Sequence, residues 1–224
     1  MLIVTFVAGT NEASNAHVLA DAFLEGAQSD PDVLVEKIRL KDLPLAHFTL
    51  EHYRGNAFEE EAFTRIRSLV RGAKGIVIAT PVWNFSVPAH LKNLIDRLGA
   101  FCLDHETRSK GQLPATPFFF LFTGGAPVPV WTGIMRFTTS HLPESIRYYG
   151  GSIAGKHYEG KCMVSRREFG LVVDVRPASL ERVRRKGRKF ARLMRYYAVH
   201  NRMPLSYRLL ARAYRLSQRI VSKF

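Results

Sequence analysis

The sequence predicts an α/β chain, a doubly wound sandwich with a five-stranded parallel sheet and a basic helical C-terminal extension. Three observations carry that prediction. Short apolar runs bounded by turn residues alternate with longer segments of helical periodicity, the pattern of a parallel sheet covered on both faces. A chain of 224 residues with 46% hydrophobic and 23% charged content can bury one sizeable core. The formal charge of +14 is unevenly placed: residues 1–155 hold 14 basic and 15 acidic side chains, residues 156–224 hold 19 and 4. Basicity therefore belongs to the C-terminal third, which suggests a division into a domain over 1–176 and an extension over 177–224.

Leu2 to Ala8 is a continuous β-prone run that ends at Gly9, and Asn15 to Gly26 follows with Val18, Leu19, Ala22 and Phe23 at helical spacing. Val33 to Leu40 alternates apolar and charged residues, as an exposed or edge strand does. A loop with Leu43, Pro44 and His47 leads to a helix over Glu59 to Arg71, acidic at its start and carrying Arg67 and Arg71 near its end, in accord with the helix dipole. Gly75 to Thr80 is a buried-type strand. Pro88 to Leu98 is helical, with Ser86 or Val87 near its cap and Pro88 in the first turn, where its missing N–H costs nothing. Pro117 to Thr123, PFFFLFT, is a central strand. A helix over roughly Val130 to Tyr148 and a short strand over Ser152 to Tyr158 complete the alternation, and the handedness of crossovers favours the doubly wound arrangement.

Several classes are excluded. Two cysteines, Cys102 and Cys162, cannot build a disulfide framework or a cysteine-only metal site, and they fit a reducing, cytoplasmic compartment. MLIVTFVAG lacks a basic n-region and reads as a strand rather than a signal peptide. No stretch approaches the ~20 apolar residues that span a bilayer. The eight histidines (His17, His47, His52, His90, His105, His141, His157 and His200) show no metal-ligand spacing, and neither a G-x-S-x-G elbow nor an H-E-x-x-H motif occurs.

Ligands of such sheets bind at the carboxyl ends of the strands. Three loops lie there: Gly9 to Ala16, Pro81 to Val87 and Gly124 to Pro129. In the first, Thr10, Asn11, Ser14, Asn15 and Ala16 lead into a helix, and backbone N–H groups at a helix N-terminus suit a phosphate. Ser14 or Asn15 could equally serve only as the helix cap. Neither G-x-G-x-x-G nor G-x-x-x-x-G-K-S/T is present. In the second loop Pro81, Val82, Trp83, Asn84 and Phe85 place two aromatics between two prolines that shape the turn. Core packing is the competing use for Trp83 and Phe85. In the third, Thr123, Gly124 and Gly125 let a ligand approach the backbone, since glycine carries no Cβ. Lys92 and Asp96, i and i+4 on the following helix, read as a structural pair.

The segment TPVWNFSVPAHLKNLIDRLG, with the Thr123-Gly124-Gly125 turn, resembles the NAD(P)H-dependent FMN reductase and quinone reductase family of flavodoxin-like folds. The resemblance covers residues 2 to 158 and is strongest over 75–99. It implies that the second loop lies against the isoalloxazine ring of FMN, that Thr123 and the two glycines meet its other flank, and that the first loop holds the phosphate. Trp83 stands where the family commonly has tyrosine. The first loop departs from the family in being shorter, in lacking an arginine and in carrying Glu12, which puts FMN affinity in question. The resemblance further implies hydride transfer from NADPH or NADH through FMN to a small-molecule electron acceptor such as a quinone or free flavin, with no catalytic acid or base, and a homodimer. A flavodoxin-type electron carrier and a flavin-free scaffold are the rival readings.

Two helices are predicted in the C-terminal third, Ala178 to His200 and Pro204 to Phe224. In the second, Leu205, Leu209, Ala213, Leu216, Ile220 and Phe224 form one stripe, and Arg208, Arg212, Arg215 and Arg219 form another. Such a helix packs on its own domain or a second subunit, or attaches the protein peripherally to an anionic membrane at its inner face. Nucleic acid is the least supported partner, because no recognition motif accompanies the charge.

Overall fold

The computed structural model describes residues 1–54, 60–165, 168 and 170–221, with the side chains of 218–221 excepted. Five strands, β1 (Leu2–Val7), β2 (Leu34–Arg39), β3 (Gly75–Pro81), β4 (Pro117–Thr123) and β5 (Ser152–Glu159), form one sheet in the order β2-β1-β3-β4-β5. Every neighbouring pair is parallel. This is the flavodoxin-like topology, in which the chain reverses direction across the sheet between β1 and β3.

The helices are α1 (Asn15–Ala27), α2 (Glu61–Gly72), α3 (Ala89–Cys102), α4 (Val128–Gly133), α5 (His141–Tyr148), α6 (Pro177–His200) and α7 (Leu205–Val221). They divide the core into two layers. Phe118, Phe120 and Phe122 of β4 pack with α2, α3 and α5 on one face of the sheet. Phe119 and Leu121 pack with α1 and α6 on the other. Burial on both faces explains why PFFFLFT has no polar alternation.

Two boundaries differ from the sequence reading. The segment expected as one helix over Val130 to Tyr148 is α4, a 3-10 turn over Met135–Thr139, and α5. A single helix would bury Pro143 in its interior, without an N–H and against a preceding carbonyl, whereas a start at His141 places it in the first turn. Residue Pro88, rather than Ser86 or Val87, caps α3, because the Ser86 backbone is engaged with Trp83. Glu59, the expected start of α2, lies outside the described residues.

The basic third does not stand apart from the sandwich. Val183, Phe190, Ala191 and Met194 of α6 enter the core layer of α1. The two helices meet backbone to backbone, since a Cβ on Gly187 would lie 2.0 Å from the Phe23 carbonyl oxygen and one on Gly26 would lie 2.1 Å from that of Arg184. The arginines of α6 point outward, Arg184 to Glu25 and Arg195 to Asp30 and Asp32. Helix α7 lies beside the β5 edge, where the Tyr207 hydroxyl donates to the Ala154 carbonyl at 3.5 Å. Its half-buried residues are Tyr207, Arg208, Ala211 and Tyr214, while Leu205, Leu209 and Leu216 of the predicted apolar stripe are exposed. Phe224 and the side chains of Arg219 and Ile220 lie outside the described residues. Among those residues no helix is long and apolar enough to cross a membrane.

Candidate functional site at the carboxyl edge of the sheet

Strand pairing brings the three loops side by side. The Ala8 N–H donates to the Ala79 carbonyl at 2.8 Å, the Val82 N–H to Thr123 at 2.7 Å, and the Gly124 N–H to Glu159 at 3.1 Å. Each loop thus leaves the sheet from a fixed foot, one strand spacing (about 4.8 Å) from the next. An inter-loop brace comes from His90 in the first turn of α3, whose Nε2–H donates to the Ala8 carbonyl at 3.0 Å.

The first loop is rich in uncommitted donors. Among the described residues, no backbone N–H from Gly9 to His17 has an acceptor in the chain, and the first intrahelical bond is Val18 N–H to the Ser14 carbonyl. Orphan amides at the start of a helix are an anion site waiting on geometry and charge. Ser14 occupies the N-cap but makes no side-chain cap bond. It is buried, and its Oγ fills the space a Cβ on Gly9 would need. Thr10 is half-buried and Asn11 exposed, while Ala16 belongs to the core. Asn15 is spent elsewhere: its amide donates to the Gly170 carbonyl at 2.8 Å and accepts from Val172 and Val173 N–H at 3.0 and 3.1 Å. It anchors the loop to the segment leading into α6, a contact separated by more than 150 residues and invisible to local pattern.

Local charge is more favourable than the sequence suggested. Glu12 is drawn to the end of β2, where Lys41 and Arg39 bind its carboxylate and hold it below the usual carboxylate range. Burial, followed by the fields of Arg39 and Lys37, lowers the pKa of His17. Its Nε2 is buried and has no partner among the described residues.

The second loop is a tight two-residue reversal. Trp83 and Ser86 exchange backbone hydrogen bonds at 2.9 and 2.8 Å, and the residues between them, Asn84 and Phe85, both have positive φ, 47° and 61°. Asparagine tolerates that region, whereas a bulky phenylalanine there is strained. The turn presents its aromatics instead of burying them, Trp83 at 39% exposure and Phe85 at 72%. Core packing therefore does not account for either ring. Pro81 ends β3, and Val82 packs on the core below.

In the third loop Thr123 and Gly124 are buried and Gly125 is exposed. A Cβ on Gly124 would lie 2.6 Å from the Tyr158 hydroxyl, and one on Gly125 would lie 2.6 Å from the Met163 sulfur. The glycines are thus required by the chain's own packing as well as leaving the edge open. Tyr158 donates to the Ala126 carbonyl at 2.9 Å and stacks on Trp131 at 4.5 Å, so the loop is held from below. Its hydroxyl is pushed up to about 12 by burial, and those of the two thiols, Cys102 and Cys162, are pushed to about 12 and about 11 for the same reason. None of the three is a candidate acid or nucleophile at neutral pH.

The arrangement offers amide donors for an anion, two exposed aromatic rings, and a strand end free of Cβ atoms. It contains no acid–base pair aimed at a common point. Residues 1–128, a span that takes in the first two loops and nearly all of the third, match the family model described as NADPH-dependent FMN reductase. The chain belongs to that family. The family's cofactor suits the donor set, since a phosphate monoester matches the free amides and a flat ring matches the aromatic turn.

Two curated relatives are both described as FMN-dependent NADH:quinone oxidoreductase. That of Mycoplasma pneumoniae is 31% identical over 87 residues, 38% of this chain and 44% of the relative. The one from Mycoplasma mycoides subsp. mycoides is 26% identical over 101 residues, 44% and 50% respectively. The chain thus spans about half the length of the curated relatives it matches. Among solved structures, NAD(P)H:quinone oxidoreductase from Methanothermobacter marburgensis superposes with a TM-score of 0.66 at 19% identity, covering 85% of this chain and 96% of that one. An azoreductase from Bacillus anthracis gives 0.57 at 15% identity, with 85% and 96% covered. At these identities the likeness establishes the flavodoxin-like fold.

His90, His17 and the Lys41–Arg39 pair were not singled out by sequence. A histidine two residues after a proline at the start of a helix, next to a ligand loop, was the available signal for His90.

Proposed function

We propose that the protein binds FMN at this edge and uses it to pass a hydride from NADPH or NADH to a small acceptor of the quinone class. The observation that carries the reading is the strained turn at Asn84 and Phe85, which holds two exposed rings beside the free amides at the start of α1. Strain of this kind persists where surrounding structure enforces it for a purpose.

The amides of residues 9–17 and the side chains of Thr10, Asn11 and Ser14 would hold the phosphate. Asn15 would act indirectly, by fixing the loop to residues 170–173. Trp83 and Phe85 would wall the ring, the free N–H groups of Asn84 and Phe85 would address its polar edge, and Thr123, Gly124 and Gly125 would border its other flank. FMN supplies the redox chemistry, accepting a hydride from the nicotinamide and delivering electrons to the acceptor. The protein's task is to orient the ring and leave one face open to both substrates. The exposed Val128 and Val130 of α4, at the end of the third loop, offer an apolar rim for an aromatic acceptor. A homodimer would bring a second copy to that rim.

The test is spectroscopic. The purified protein should bind FMN with a perturbed visible spectrum, and anaerobic NADPH or NADH should bleach it, with colour restored by a quinone. Bound flavin that neither nucleotide reduces would identify an electron carrier. Failure to bind FMN would leave a scaffold and end the proposal.

A further inference from the structure

Helix α7 turns its apolar stripe outward. At 100° per residue, Leu205, Leu209 and Leu216 fall within about 40° of one another, opposite the face formed by Tyr207, Ala211 and Tyr214 that rests on the domain. The three leucines are 62%, 53% and 60% exposed, and neighbouring Leu210 is 71% exposed. Arg208, Arg212 and Arg215 line the flank between the two faces. Together with Arg202 they border a cleft of about 260 Å³ between α7, Ala115 and the start of β5. No acidic side chain among the described residues pairs with any of these four arginines. Helix α6 differs in having Arg184, Arg188 and Arg195 paired with carboxylates, although its Arg182, Arg185 and Arg192 also lack an acidic partner among the described residues.

We propose that α7 docks the protein onto an anionic membrane surface, with the leucine stripe entering the headgroup boundary and the arginine-bordered cleft receiving a lipid phosphate. The chemistry selects this occupant over two others. A second copy of α7 would set arginine against arginine, and a few leucines fall well short of the ~800 Å² each partner gives a stable interface. A nucleic acid backbone would satisfy the arginines but leave the leucines in water. An anionic bilayer meets both, by the rule for basic helices lying in the interface plane. The proposal is independent of the flavin site.

Flotation of the full chain with vesicles tests it. Vesicles of phosphatidylcholine containing phosphatidylglycerol should carry the protein at low salt and less at high salt, and phosphatidylcholine alone should not. The double variant Arg212→Gln/Arg215→Gln should lower partitioning by about 25-fold, or five-fold per arginine, and Arg212→Lys/Arg215→Lys should retain it. Leu209→Gln/Leu216→Gln should lower it by about tenfold or more with all charge kept. Arg182→Gln/Arg192→Gln removes equal charge from α6 and should leave partitioning nearly unchanged. Equal binding to neutral vesicles, no binding at all, or an equal loss in the α6 variant would overturn the proposal. So would duplex DNA binding that competes with vesicles and survives the leucine substitutions, or binding of soluble glycerol phosphate without vesicle capture.

Discussion

Replacing Phe85 with glycine should stabilise the flavin-free protein while weakening its hold on FMN. Phe85 sits at φ 61° and is 72% exposed, so its ring contributes little burial and its backbone carries strain. A left-handed conformation costs an L-residue about 1–2 kcal/mol. Glycine removes that cost but adds about 0.5–1 kcal/mol of chain entropy to be lost on folding. The net gain is about 0.5–1 kcal/mol, which in a chain of this size raises Tm by about 1–4 °C. Asn84→Gly, at φ 47°, should change Tm less, since asparagine visits this region readily. Removing the ring should weaken FMN by about tenfold through loss of one aromatic wall. Thermal unfolding of the flavin-free protein and quenching of FMN fluorescence measure the two effects separately. A lowered Tm refutes the strain argument, and an unchanged Kd refutes the assignment of Phe85 to the ring.

Gly124→Ala should cost about 1–3 kcal/mol in urea unfolding, because the added methyl must displace the Tyr158 hydroxyl from 2.6 Å and with it the bond to Ala126. Gly187→Ala should destabilise by more than about 3 kcal/mol, since its Cβ meets backbone rather than a movable side chain; tolerance of alanine there would mean that α6 does not pack as described. Glu159 is buried. Burial pushes its carboxyl up, yet bonds to His157, Ser179 and Arg176 outweigh it and hold the pKa below the ordinary 4.5. Its stabilisation is therefore complete above about pH 4.5 and fades as pH falls through the lower folded value. Glu159→Gln should cost about 1–3 kcal/mol at neutral pH, and denaturant midpoints of mutant and parent should converge in acid; a constant gap would refute the ionic role.

The strands were legible because burial on both faces leaves an unbroken apolar run, as in PFFFLFT, and the three loops were legible because turn residues stand at strand ends. What escaped was long-range. The amide of Asn15 was open to reading as a cap or a phosphate ligand, yet its partners lie at 170–173. The break before Pro143 was readable in principle, as a proline cannot sit in mid-helix, but continuous apolar spacing masked it. Trp83 and Phe85 could be core or site by sequence, and only their exposure on a positive-φ turn separates the two uses.

Charge shows the same division between what pattern reveals and what packing decides. A +15 segment looks like an appendage when only its charges are counted, and α6 alone carries eight basic residues and one acidic one. Yet Gly187 in mid-helix, a position that costs about 1 kcal/mol against alanine, signals a close helix contact rather than a solvated rod. The contacts of Gly187 with Phe23 and of Gly26 with Arg184 weld α6 into the sandwich and let Arg184 and Arg195 pair with Glu25, Asp30 and Asp32. With three arginines of α6 paired in this way, the cations bordering the α7 cleft stand out less by their number than by the apolar stripe beside them. Their place beside an outward leucine stripe, at the start of β5 rather than at the carboxyl edge, would let the proposed membrane contact act apart from the proposed flavin site.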